Sequence, residues 1–94
     1  MDVTLRFFAN FRDEVGQKSI SRSYDATTVG EVLTALESEF PGLEGEILDD
    51  GKVRGNVNVL LNGRDIEHED GIGSTLEADD TLSIFPPVAG GGFR

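Results

Sequence analysis

Thr28-Val29-Gly30-Glu31-Val32-Leu33-Thr34-Ala35-Leu36-Glu37-Ser38-Glu39-Phe40 decides the fold of this 94-residue chain. Val29, Val32, Leu33, Leu36 and Phe40 recur at helical spacing, so one face of a helix is apolar. Thr28-Val29-Gly30-Glu31 has the Thr-x-x-Glu form of a capping box, with Thr28 as N-cap and Glu31 reaching back to its amide. Pro41-Gly42 ends the helix. The stripe is a core face, and nothing in it suggests a cofactor site.

On the N-terminal side, Val3, Leu5 and Phe7 alternate with Thr4, Arg6 and Phe8, the period of a strand with one buried face. Residues 10–17 read as a polar connection with room for a helical turn, and Gly16 as its turn residue. Residues 18–24 alternate again, with Ile20 and Tyr24 on one side and Ser19, Ser21 and Ser23 on the other. The two runs form an antiparallel hairpin. On the C-terminal side, Leu43 and Ile47 lie four apart, which fits one helical turn within residues 43–50. Gly51 and Gly55 flank a charged loop. Val57, Val59 and Leu61 then alternate with Asn58 and Leu60. Asn62-Gly63 is a strong hairpin turn, and residues 64–67 would form the returning strand. After an acidic, turn-rich stretch, residues 81–85 make a last strand that Pro86 and Pro87 must stop.

A helix set between a hairpin and the later strands covers one face of a mixed sheet, with the first and last long strands central. The expected fold is therefore α+β: a β-grasp, ubiquitin-like, four- to five-stranded sheet with one main helix on one face. Residues 1–87 make the domain. Residues 88–94 are read as a flexible, glycine-rich tail.

Composition excludes several functions. No cysteine is present, which removes disulfides, thiolate metal sites and thiol catalysis. The net charge of −10, with only Lys18 and Lys52 as lysines, argues against nucleic acid and anionic membranes, whose phosphates need clustered cations. Dispersed acids with few lysines fit adaptation to high salt, where a Debye length of about 3 Å at 1 M screens self-repulsion, the alternative being an ordinary acidic cytosolic protein. No signal peptide or apolar run of transmembrane length is visible, so a cytoplasmic location is expected. His68 sits among Glu67, Glu69 and Asp70, but sequential neighbours rarely converge on one ion, and a solvated acidic loop is the expected reading. No metal site, bound cofactor or catalytic residue is expected.

Two features point to function. The chain closes on Phe85-Pro86-Pro87-Val88-Ala89-Gly90-Gly91-Gly92-Phe93-Arg94, where glycines without Cβ atoms suit a channel too narrow for side chains. Strand alternation also turns Phe8, Leu60 and Phe85, with Arg6 beside them, away from the helix. An apolar cluster with a polar rim on the open sheet face marks a protein-binding surface. The competing expectation is that a loop or a second copy covers it.

With this topology, Leu5-Arg6-Phe7-Phe8-Ala9, Thr28-Val29-Gly30-Glu31-Val32-Leu33, Val57-Asn58-Val59-Leu60-Leu61-Asn62-Gly63 and, above all, Leu82-Ser83-Ile84-Phe85-Pro86-Pro87-Val88-Ala89-Gly90-Gly91 resemble the ubiquitin-like sulfur carriers of the MoaD and ThiS type, in particular the small archaeal modifier proteins of halophilic archaea. The resemblance implies that an E1-like enzyme uses Mg-ATP to adenylate a terminal glycine carboxylate. The product is then thiocarboxylated, for molybdopterin synthesis or transfer-RNA thiolation, or joined to lysines of target proteins. The chain itself would be a carrier and substrate, and a candidate small subunit for the large subunit of molybdopterin synthase. Gly90, Gly91 and Gly92 are the candidate activation and conjugation residues. By position Gly91 should come last, yet Gly92, Phe93 and Arg94 follow. A metalloprotease that trims the tail at Gly91 or Gly92 accounts for this; so would a divergent paralogue, or a non-covalent β-grasp interaction module with an unprocessed tail.

Overall fold

Val3, Leu5 and Phe7 bury as their alternation predicts and define the first strand, β1 (Asp2–Phe7), of a computed structural model that describes residues 2–87. Gly90, Gly91 and Gly92 lie outside the described residues. β1 leads into a short helix, α1 (Ala9–Val15), and then β2 (Ser19–Ser23). The long helix α2 (Val29–Glu39) follows, then a two-stranded ribbon of β3 (Leu48–Asp49) and β4 (Lys52–Val53). A second hairpin, β5 (Asn58–Leu61) and β6 (Arg64–Asp65), precedes the final strand β7 (Asp80–Phe85). The main sheet has the order β2-β1-β7-β5-β6, with β1 and β7 parallel at its centre. This is the mixed five-stranded β-grasp sheet expected from the order of elements.

Helix α2 starts as its capping box predicts. Glu31 N–H donates to Thr28 Oγ1 at 3.3 Å, and Thr28 N–H donates to Glu31 Oε1 at 3.2 Å. Hydrogen bonds from Thr27 and Thr28 hold the Glu31 carboxyl below the usual carboxylate range. Val29, Val32, Leu33 and Leu36 are buried against Leu5, Val59, Leu82 and Ile84 of the sheet in one core. Gly30 suits a close approach: a Cβ there would sit 3.1 Å from Ile72, on the turn Gly71–Gly73 that packs over the helix, and the turn would have to shift by a few tenths of an ångström. Asn62 (φ 52°) and Gly63 (φ 87°) both take positive φ, the geometry of the tight turn their dipeptide announced.

Three local expectations are corrected. Residues 10–17 are not merely a connection, because α1 is a second helix that buries Phe11. Its first turn is tied down by the Phe8 carbonyl, which accepts from the amides of Phe11 and Arg12. Residues 43–50 do not form an α-helical turn. A 3-10 turn at Pro41–Leu43 buries Leu43, and Glu37 Oε2 accepts from the amides of Ile47 (3.0 Å) and Leu48 (2.8 Å), leading the chain into β3. The returning strand β6 stops at Asp65, whose carboxylate accepts from Glu67 N–H at 2.9 Å and turns Ile66 into the core.

The sheet edge is fastened to the end of α2 by Glu39. Its carboxylate accepts from Arg22 Nε at 2.6 Å and from the Tyr24 hydroxyl at 2.7 Å. The Arg22 bond holds the Glu39 carboxyl below its usual range, while burial and then Glu39 push the Tyr24 phenol up. A lowered carboxylate pKa stabilises the fold above the ordinary glutamate range and ceases to do so as pH falls through the folded value. With about a third of each side chain exposed, the contribution stays below about 1 kcal/mol. Glu39→Gln should therefore lower unfolding free energy at pH 7. In parallel denaturant titrations its deficit against the parent chain should vanish as pH drops below the glutamate range. A deficit constant with pH would disprove the ionic origin.

Candidate docking site on the open sheet face

The site follows from strand register. β1 and β7 run parallel with Phe7 opposite Ile84, so both strands finish at the same end of the sheet. Pleating then turns the next residue of β1, Phe8, and the last residue of β7, Phe85, away from α2. Their rings stack with centroids 4.1 Å apart and planes 9° apart. Such a pair contributes about 0.5–1.5 kcal/mol beyond its burial. The Arg6 guanidinium lies over the Phe8 face, 5.5 Å from its centroid, and has no ion-pair partner among the described residues.

Strand β5 brings Leu60 to the same face. Leu60 pairs with Ser83 and Asn58 with Phe85, so Leu60 sits diagonally beside the aromatic pair. Phe8, Leu60 and Phe85 are all half-buried. With Ala9, Pro86 and Pro87, and the polar Asn10 and Asn58, they line a mainly apolar open groove of about 580 Å³. Ala9 carries a left-handed φ of 51°, which bends the chain from strand into helix and keeps Phe8 over the sheet. Polar residues border the apolar end: Thr4, Ser19 and Ser21 on β1 and β2, and Asp65 directly across from Leu60. Asp65 also accepts from Asn58 Nδ2 at 3.4 Å.

The structure thus brings together four of the residues singled out by sequence: Arg6, Phe8, Leu60 and Phe85. It adds Ala9 and Pro86, which alternation could not assign because both lie past strand ends. Pro86 is buried and Pro87 exposed, so the chain leaves the domain at the groove itself. His68 is exposed and, among the described residues, no group of three or more histidine, aspartate or glutamate side chains could hold a metal ion. No helix among them is long and apolar enough to cross a membrane. The groove presents contact surface and one unpaired cation.

The ThiS family profile matches residues 5–91, nearly the whole chain. The chain belongs to the ThiS family. Its similarity extends across ThiS-type relatives of two descriptions. It is 54% identical to small archaeal modifier protein 3 of Haloferax volcanii, an alignment that covers 97% of this chain and all of the relative. The sulfur carrier protein CysO of Mycobacterium tuberculosis is 34% identical, again over 97% of this chain and all of the relative. Among solved structures, small archaeal modifier protein 1 from Methanosarcina acetivorans superposes with a TM-score of 0.84 at 32% identity, covering 96% of each chain. The Haloferax relative fits the acidic, lysine-poor composition read as high-salt adaptation. The ThiS match stops at Gly91, so Gly92, Phe93 and Arg94 follow the matched span.

Proposed function

We propose that this ThiS-family chain is a ubiquitin-like protein modifier or sulfur carrier whose reacting group is the carboxylate of Gly91. The observation that carries the reading is the family match, which ends at that glycine, six residues beyond a strand that finishes in an apolar groove. In this reading the folded domain, residues 1–87, docks by Phe8, Leu60, Phe85 and Arg6 on a cytoplasmic E1-like enzyme. Residues 88–91 then enter its nucleotide site. Pro86 and Pro87 fix the direction of departure, since each ring locks φ near −65°. Val88 and Ala89 add little bulk, and Gly90 and Gly91 none.

The chemistry belongs to the partner. A Gly91 carboxylate oxygen attacks the α-phosphorus of Mg-ATP, pyrophosphate leaves, and an acyl-adenylate results. A sulfur nucleophile can displace AMP to give a thiocarboxylate, which would serve molybdopterin synthesis beside that synthase's large subunit, or transfer-RNA thiolation. Alternatively a target lysine attacks the carbonyl, AMP leaves, the amine loses a proton, and an isopeptide bond forms. Either outcome requires removal of Gly92, Phe93 and Arg94, a hydrolysis assigned here to a metalloprotease. The chain contributes no catalytic acid, base or metal.

The second reading, a non-covalent interaction module, is favoured only by the docking groove, which would serve either role. Intact mass of the protein from its native cells distinguishes them. A modifier or carrier should end at Gly91, carry a sulfur-for-oxygen mass increase there, or appear linked to targets. It should also support ATP–pyrophosphate exchange by its activating enzyme. Uniform retention of residues 92–94 without exchange would establish the module instead.

A further inference from the structure

We infer that Arg6 makes the groove selective for a carboxylate: the segment of the activating enzyme that docks there presents an acidic side chain to the Arg6 guanidinium, beside an apolar side chain seated against Phe8, Leu60 and Phe85. The identity of the partner rests on the function proposed above; the preference for a carboxylate does not. The sheet supplies Arg6 with no counter-charge. Its cross-strand neighbours are Ser19 on β2 and Ser83 on β7, both neutral. Along β1 the adjacent residues of the same face are Thr4 and Phe8. Asp65, the acid at the groove rim, lies on β6, three strands from β1 and about 14 Å away at the usual strand spacing. Its carboxylate is also engaged, accepting from Glu67 N–H at 2.9 Å and from Asn58 Nδ2 at 3.4 Å.

Among the described residues, the Arg6 guanidinium has the Phe8 ring, 5.5 Å away, as its partner and makes no hydrogen bond or ion pair. That contact holds the charge beside the aromatic pair, at the edge of the groove, and leaves its N–H donors unused. A guanidinium presents those donors as a planar fork that matches a carboxylate through two parallel hydrogen bonds. A partner seated in a mainly apolar groove would exclude water from the pair and strengthen it. With 18 acidic residues against 8 basic, the field around the whole molecule repels carboxylates. The surface elsewhere therefore suits a basic partner, and an acid demanded at this one point fixes the register of docking. A carboxylate that prefers the groove against that field must be held by Arg6 itself.

The test compares hexanoate with hexanamide as probes of the full chain, following the Leu60 methyls and the Arg6 Nε–H by NMR with no enzyme present. The probes share an alkyl chain and differ in charge. Hexanoate should shift both signals together and bind about tenfold more tightly than hexanamide. In the Arg6→Gln chain the two should bind equally. Equal binding to the parent chain, or none of either probe, would overturn the proposal, as would Leu60 shifts without any at Arg6. Signals that move with protein concentration alone would overturn it too, because a second copy would then supply the carboxylate. Affinity of the full chain for the activating enzyme is read separately. Arg6→Gln should weaken binding about tenfold and Arg6→Glu about a hundredfold. The Arg6→Gln defect should shrink as salt rises and screens the pair, whereas Leu60→Ser should weaken binding at every salt concentration. A Leu60→Ser defect without an Arg6→Gln defect would refute the carboxylate and leave the docking face standing. Absence of enzyme binding by the parent chain would refute the modifier reading, while the hexanoate preference still decides the chemistry of the groove.

Discussion

Replacing Leu60 and Phe85 together by serine is expected to weaken docking on the activating enzyme at least a hundredfold while leaving the domain folded. Both side chains are half-buried and belong to the open face, whereas the core on the opposite face is formed by Val3, Leu5, Phe7, Val59, Leu82 and Ile84. Burying an apolar side chain of this size at an interface contributes about 1.5–3 kcal/mol, and residues at the centre of an interface commonly exceed about 2 kcal/mol on truncation. Losing both should therefore cost about 3–5 kcal/mol of binding, with each 1.4 kcal/mol worth about tenfold. Loss of the Phe8–Phe85 stack removes about 1 kcal/mol from the fold beyond the partial burial that the two side chains give up. Pyrophosphate exchange at graded carrier concentrations should show the defect chiefly as a raised half-saturation point. Unimpaired exchange by a chain with unchanged thermal unfolding would reject the docking face.

Phe11→Ala should give a large loss of stability although it lies outside the main sheet and α2. Phe11 is 1% exposed and holds α1 against the end of the core. Large-to-small changes at such sites cost about 3–5 kcal/mol, because a cavity remains where the ring was. A domain of this length has only about 5–14 kcal/mol in total. Urea titration of Phe11→Ala against Arg12→Ala, an exposed neighbour on the same helix, separates packing from helix propensity. Arg12→Ala should stay within about 0.5 kcal/mol of the parent. A Phe11→Ala loss below about 1 kcal/mol would mean that α1 is an appendage rather than part of the core.

The same residue shows where the chain was hard to read. Helix α2 was legible because five apolar residues repeat at one period and a capping box marks its start. Helix α1 has two inward residues, Phe11 and Val15, four apart among polar neighbours. That spacing is a helical signal, but two positions do not establish a period. The segment after α2 misled for the opposite reason. Leu43 and Ile47 also lie four apart and are both buried, yet the amides of Ile47 and Leu48 are taken by Glu37 from another element. A side-chain acceptor ten residues away leaves no trace in local periodicity.

Of the candidate site, the face was legible and the cluster was not. Period-two alternation alone determines that Arg6, Phe8, Leu60 and Phe85 turn away from α2, because neighbouring side chains of a strand must take opposite faces. The capping box, the Asn62-Gly63 turn, the proline stop and the family motif through Gly91 are likewise properties of local sequence. Tertiary structure decided that Phe8 and Phe85, 77 positions apart, stack at one end of the sheet beside Leu60, where the chain departs at Pro87. That depends on the parallel register of β1 with β7, which arises only when α2 carries the chain across the sheet and buries both strands beneath it.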